Sequence, residues 1–192
     1  MTLRPFTKTL LATALALAAL PAAADTVLIS AERLLDVRTG KWIEDPEILV
    51  RDGKIARITR GPGEPVADAR RIDLAGLSLL PGLIDMHVHL DSDPSYGGYT
   101  GLQFTDRFWS MLTVKHAGET LDAGFTTVRN VGSDAWNDVG LRQAVDEGKV
   151  RGPRVVSGGY SFGATGGHCD STYFPPSFES KNPYNADSPE EA

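Results

Sequence analysis

Residues 81–90, Pro81-Gly82-Leu83-Ile84-Asp85-Met86-His87-Val88-His89-Leu90, restrict the fold more than any other stretch of the chain. Pro81-Gly82 marks a turn, and the apolar-rich run behind it reads as a strand entering a core. Side chains alternate along a strand, so Leu83, Asp85, His87 and His89 share one face while Ile84, Met86 and Val88 share the other. The second face is suited to a cover of helices. The first turns polar toward its C-terminal end, which a strand buried on both sides does not do without a reason.

Two imidazoles at i and i+2 on a rigid strand point the same way, and their nitrogens can reach a single ion. Zinc takes His nitrogens at about 2.0–2.1 Å, so the two rings must be held close together. A bare His-x-His also occurs by chance among strand histidines that are merely hydrogen-bonded or exposed. Here Asp85 lies on the same face, placed to accept a ring N–H or to steady a neighbouring ligand. That context favours a metal, with His87 and His89 as the expected ligands and Asp85 as their supporting carboxylate.

The chain has 192 residues, the length of one domain or a little more. Its 41% hydrophobic and 23% charged residues suit a soluble globular protein able to bury a core. Residues 1–24 read as a cleavable signal peptide: Arg4 and Lys8 supply the positive start, Leu10 to Leu20 the apolar run, and Ala22-Ala23-Ala24 the small residues before cleavage. The run is shorter than the roughly 20 residues of a membrane span. Neither a Cys near the cleavage site nor an Arg-Arg pair is present, so general secretion to the periplasm is expected, with no membrane attachment after cleavage. The chain is acidic, with a net charge of −6 and no basic cluster, a poor match for nucleic acid or anionic lipid. The single cysteine, Cys169, has no internal disulfide partner.

From Thr26 to Leu80 the pattern is short strands and turns: Thr26–Ser30, Arg33–Val37, Glu47–Arg51, Lys54–Thr59, Arg70–Leu74 and Leu77–Leu80. Asp52-Gly53 supplies the positive φ angles of a type I′ hairpin turn. This part, residues 25–80, reads as a small structural β-sandwich. After His89 the grammar becomes strand, loop, helix, strand. Asp91–Thr105 is expected to be a flexible lid; its Asp91-Ser92-Asp93 lacks the spaced ligands and closing Glu of a calcium loop. A helix over Arg107–Ala123 stops at Gly124, and its His116 reads as an ordinary helix histidine. The strand Phe125–Asn130 follows, then a helix over Ala135–Glu147 capped by Ser133 or Asp134, then the strand Arg154–Ser157. Strands alternating with helices mean βαβ units and a parallel sheet.

The glycine-rich loop Gly158–Asp170 lacks the features of a phosphate cradle but follows a strand's C-terminal end, where α/β enzymes carry functional loops. His168 is therefore a candidate substrate contact. Cys169 lacks an identifiable base beyond its neighbour and is not expected to be a nucleophile. Asp187-Ser188-Pro189-Glu190-Glu191 reads as a helix start. A (β/α)8 barrel takes about 250 residues, so residues 81–192 suffice for its first three βα units, and the chain reads as the front part of something longer.

With PGLIDMHVHL, GFTTVRNVG, VRGPRVVSGG and TGGHCD in place, residues 26–192 resemble the amidohydrolase superfamily, in its imidazolonepropionase-like and Xaa-Pro dipeptidase (prolidase)-like branch. The resemblance implies a (β/α)8 barrel beside a β-sandwich built from both chain ends, and one or two divalent ions, zinc as the usual metal, with His87 and His89 as first-strand ligands. The carboxylated Lys, further His ligands and proton-handling Asp of such enzymes would come from later strands, so no catalytic residue is assigned in this chain. Asn130 departs from the branch, which commonly carries Asp there. The implied reaction is hydrolysis of an amide or peptide C–N bond of a small substrate, a dipeptide or N-acyl amino acid, by metal-activated water. A deaminase or cyclic-amide hydrolase is the alternative, or a catalytically incomplete chain should the sequence stop at Ala192. A homo-oligomer is compatible with either.

Overall fold

The computed structural model describes residues 26–170, 174–175, 177–178 and 182–191. The expected leader over residues 1–24 lies outside them, and no helix among the described residues is long and apolar enough to cross a membrane. The chain divides between Leu80 and Pro81 into two compact units.

In the first unit β1 (Thr26–Asp36), β2 (Lys41–Glu44), β3 (Pro46–Arg51), β4 (Lys54–Arg60) and β5 (Arg70–Leu79) form one five-stranded mixed sheet. On one side β1 pairs antiparallel with β3 along its first half and with β2 along its second; on the other it runs parallel to β5. Val27, Leu28, Ala31, Ile48 and Leu49 are its buried apolar residues. The hairpin between β3 and β4 has the expected turn, with φ of 50° at Asp52 and 72° at Gly53. Among the described residues this unit is a single sheet, one layer of the sandwich expected to be built from both chain ends.

Two pairs of short strands expected here are single strands. Ala31 pairs with Leu74 but Arg33 pairs with Ser78, so Ala75-Gly76-Leu77 bulge out of β5 opposite Glu32. Gly76 takes φ +74°, the left-handed backbone that glycine permits in a bulge. A bulge of this kind has the sequence appearance of a turn. The strand that was not foreseen, β2, is short, and Arg33 lays its guanidinium 4.5 Å over the Trp42 ring to hold it.

The second unit contains β6 (Leu83–Val88), α1 (Asp106–Asp122), β7 (Phe125–Asn130), α2 (Asn137–Asp146) and β8 (Arg154–Ser157). The three strands form a parallel sheet in the order β6-β7-β8. Leu90, Val128 and Val155 meet Ala117 of α1 and Leu141 of α2 in the core, with Val88, Phe125, Val145 and Val150 around them. Gly152 lets the chain pass close to the helices: a Cβ there would lie 3.2 Å from both Ala117 and Val145. Ile84 and Met86, expected under helices, are 62% and 50% exposed, because the helix layer among the described residues reaches this face only at Val88.

The segment Asp91–Thr105 is not featureless. It contains short 3-10 turns at Pro94–Tyr96 and Gly98–Gln103. Tyr96 sets its ring edge-on to Phe104, Phe108 and Trp109, packing the segment onto the start of α1. Helix α2 begins two residues later than expected, because Ala135 and Trp136 both adopt left-handed backbone, with φ of 50° and 58°. Near the chain's end Glu191 N–H donates to Ser188 O in a turn, and Asp187 accepts from Thr165 N–H at 2.7 Å rather than capping a helix.

Candidate functional site

The C-terminal ends of three parallel strands bring their following segments together, and hydrogen bonds cross-link them in sequence. From β6 to β7, Leu90 N–H donates to Asn130 Oδ1 at 2.8 Å, and the Ser133 hydroxyl and Asp134 N–H donate to Asp91 Oδ2 at 2.7 and 2.9 Å. From β7 to β8, Ser133 N–H donates to Gly159 O at 2.8 Å and Gly159 N–H to Asp138 Oδ2 at 2.9 Å. Asn130, Ser133 and Asp138 are buried, so these are polar groups satisfied inside the unit. Ser133 was expected to cap α2, and its hydroxyl does accept from Asp138 N–H at 3.1 Å, although the residue before the helix is Trp136.

His87 is the penultimate residue of β6 and His89 follows the strand directly, both exposed. Their ring centroids are 5.4 Å apart with the planes at 72°. Two imidazoles sharing one tetrahedral ion, each about 2.0–2.1 Å from it, have centroids on the order of 5 Å apart. The observed pair therefore fits a single zinc-like ion as two of its donors. His89 Nδ1 lies 3.3 Å from Gly132 O, which can only accept, so Nδ1 carries the proton and Nε2 is left as the donor to a metal. Among the described residues no group of three or more His, Cys, Asp or Glu side chains is placed to hold a metal ion, so the pair supplies two donors and no third joins it there.

Of the two roles open to Asp85, a bond to a ring N–H or support of a neighbouring ligand, the structure shows a contact to the main chain of His87. Its Oδ1 accepts the His87 backbone N–H at 3.0 Å, so it fixes the main chain at the first histidine rather than an imidazole ring. His168 lies exposed on a turn after β8 and is not among the residues lining the cavity beside His89. That cavity, about 560 Å³, is bounded by His89, Asp91, Asp93, Tyr96, Trp109 and Asp134 among others. His116 is a structural residue: Nδ1 bonds Leu90 O at 2.8 Å and Nε2 lies 3.7 Å from Asp93 Oδ2, tying α1 to the loop after β6. Asp93 itself accepts from Ser95 N–H, which with the nearby His116 and Lys115 holds its carboxyl below the usual range.

Asp134 is shifted the other way. Partial desolvation of its carboxyl in the cavity wall, and the charges of Asp91 and Asp106, raise its pKa above the ordinary value. The residues that sequence reasoning missed are Asp91, Gly132 and Asp138, together with the link that Ser133 makes to Asp91 beyond its expected capping role. Asp91, Gly132 and Ser133 lie just past a strand end and Asp138 in the first turn of α2, and each acts on a partner far away in the sequence.

A solved Xaa-Pro dipeptidase with methionine in its active site superposes on 86% of this chain and 42% of its own, with 29% identity and a TM-score of 0.76. The dihydroorotase of Syntrophus aciditrophicus is 48% identical over 50 residues, 26% of this chain and 12% of the relative. The imidazolonepropionase of Thermoplasma volcanium is 31% identical over 98 residues, 51% of this chain and 22% of the relative. The chain thus spans less than half the length of these proteins. The amidohydrolase family profile matches residues 78–191, which include both histidines and all three parallel strands. A match over more than half of the chain, joined to a strand-end histidine pair in a parallel α/β unit, shows that this chain belongs to the amidohydrolase family.

Proposed function

We propose that the protein to which this chain belongs is a metal-dependent hydrolase of a small amide or peptide, with a dipeptide or N-acyl amino acid as its substrate. The observation that carries the reading is the His87–His89 pair, held 5.4 Å apart at the C-terminal end of a parallel strand. His87 and His89 would hold the ion, and when bound it supplies a Lewis acid and water of lowered pKa. The chain's own contribution is orientation: Asp85 fixes the main chain at His87, Gly132 fixes the ring of His89, and the Asp91–Ser133 link braces the rim. His168, exposed on the glycine-rich loop, belongs to the proposal as a substrate contact.

The finer architecture is part of the same proposal. Ile84, Met86 and Val156 of the parallel sheet are each about half exposed or more, apolar surface that further strands and helices of a (β/α)8 barrel would cover. The leader over residues 1–24 supports export to the periplasm. A second reading, a cyclic-amide hydrolase, is favoured by the dihydroorotase among the relatives.

The test uses the intact protein purified without chelators. Metal analysis is expected to find one or two zinc-like ions per chain, and finding none removes the proposal. A panel of dipeptides, N-acyl amino acids and cyclic amides separates the readings: release of a free amino acid supports the first, ring opening alone the second, and ammonia release a deaminase.

A further inference from the structure

The Gly132 carbonyl receives two donors, Asn130 Nδ2 at 2.8 Å and His89 Nδ1 at 3.3 Å. The orientation of the Asn130 amide follows from its partners: its oxygen takes Leu90 N–H, which only donates, and its nitrogen meets Gly132 O, which only accepts. The side chain is 0% exposed and spans from the residue beside His89 to the carbonyl that His89's ring contacts. Gly132 has φ +137°, a backbone conformation that side-chain-bearing residues rarely adopt. No comparable bond exists for the His87 ring among the described residues, so the two histidines of the pair are oriented by different means.

We infer that Asn130 is a positioning residue that fixes the tautomer of His89: by anchoring Gly132 O and Leu90 N–H it keeps the His89 proton on Nδ1 and leaves Nε2 bare. The inference rests on the hydrolase reading only for why a bare Nε2 matters, since the tautomer itself is a property of the metal-free protein. An apolar replacement removes both bonds, and the Gly132 carbonyl loses the partner that holds it toward the ring. An aspartate keeps the volume and the acceptor for Leu90 but removes the donor to Gly132.

The experiment labels histidine with 15N in the intact protein, strips metal with a chelator, and reads the ring nitrogen shifts at a pH where the imidazoles are neutral. Wild type is expected to show His89 protonated on Nδ1. Asn130→Leu and Asn130→Asp are expected to move His89 toward the other tautomer while leaving the His87 shifts in place. Zinc affinity of Asn130→Leu, measured by competition with a chromophoric chelator, is expected to fall about tenfold. A wild type with the His89 proton on Nε2 overturns the inference, and this holds even if the leucine variant does not fold. Variants whose His89 tautomer matches wild type also overturn it. A wild type that binds no zinc sinks the hydrolase reading instead, and the tautomer result still decides this inference.

Discussion

The Ser133 hydroxyl donates to Asp91 Oδ2 at 2.7 Å, joining the segment after β6 to the segment after β7 across 42 residues of sequence. The same hydroxyl accepts from Asp138 N–H at the start of α2, and the residue is buried. Removing it leaves a carboxylate short of a donor and a buried amide without its acceptor. Ser133→Ala is therefore expected to destabilise the unit by about 1–3 kcal/mol, read from the urea midpoint at constant slope. A loss within a few tenths of a kcal/mol would mean that water replaces both bonds.

His87→Ala and His89→Ala each remove one donor of the proposed pair. Each variant is expected to lose at least about a hundredfold in zinc affinity and to fold normally, because both side chains are exposed. Metal content by elemental analysis, beside a circular dichroism spectrum, checks this. Metal retained at the wild-type level in both variants would place the ion elsewhere.

Leu141 of α2 is 4% exposed in the cluster with Ala117, Val128 and Val155. Leu141→Ala should cost about 2–5 kcal/mol through lost burial and the cavity left behind. Thermal unfolding of the two proteins side by side gives the comparison. A smaller cost would mean that α2 collapses onto β8.

Asp134 titrates above its ordinary value because of partial desolvation of its carboxyl and the charges of Asp91 and Asp106. A raised folded-state pKa means that the native state favours the protonated form. The stability this supplies is full below the unfolded-state pKa near 3.8 and is lost as pH rises through the folded value. At pH 7 the charged carboxylate is therefore a cost, and Asp134→Asn should stabilise the protein there by on the order of a few tenths of a kcal/mol, after allowance for solvent screening. The benefit should vanish by about pH 4, near the ordinary carboxylate pKa. An equal effect at both pH values would refute the electrostatic cause.

The strand carrying His87 and His89 was readable because alternation assigns each side chain to a face with no knowledge of the rest of the chain. The order β6, α1, β7, α2, β8 was readable for a similar reason, since helix and strand periods differ over short windows. What escaped depends on pairing between distant segments. The breaks read after Ser30 and after Leu74 are a bulge inside two long paired strands, visible only once Ala31 is set against Leu74 and Arg33 against Ser78. Asn130 looked like a departure from a family pattern. Its two partners, Leu90 and Gly132, show a side chain that needs a donor and an acceptor at once, which an ionised aspartate does not offer. For Asp85 the sequence left two partners open, because alternation says where a carboxylate points and not whether a nearer main-chain N–H takes it first.

Gly132 combines a positive φ with a Cβ direction that runs 2.0 Å from Ser161 Oγ and 3.7 Å from His89 Cε1. Position 132 is thereby closed to diversification: any library built to retune this rim for other substrates would waste its members there. Ser161, which abuts the same point from the loop after β8, is the position through which the surroundings of His89 can be reshaped without bending the main chain.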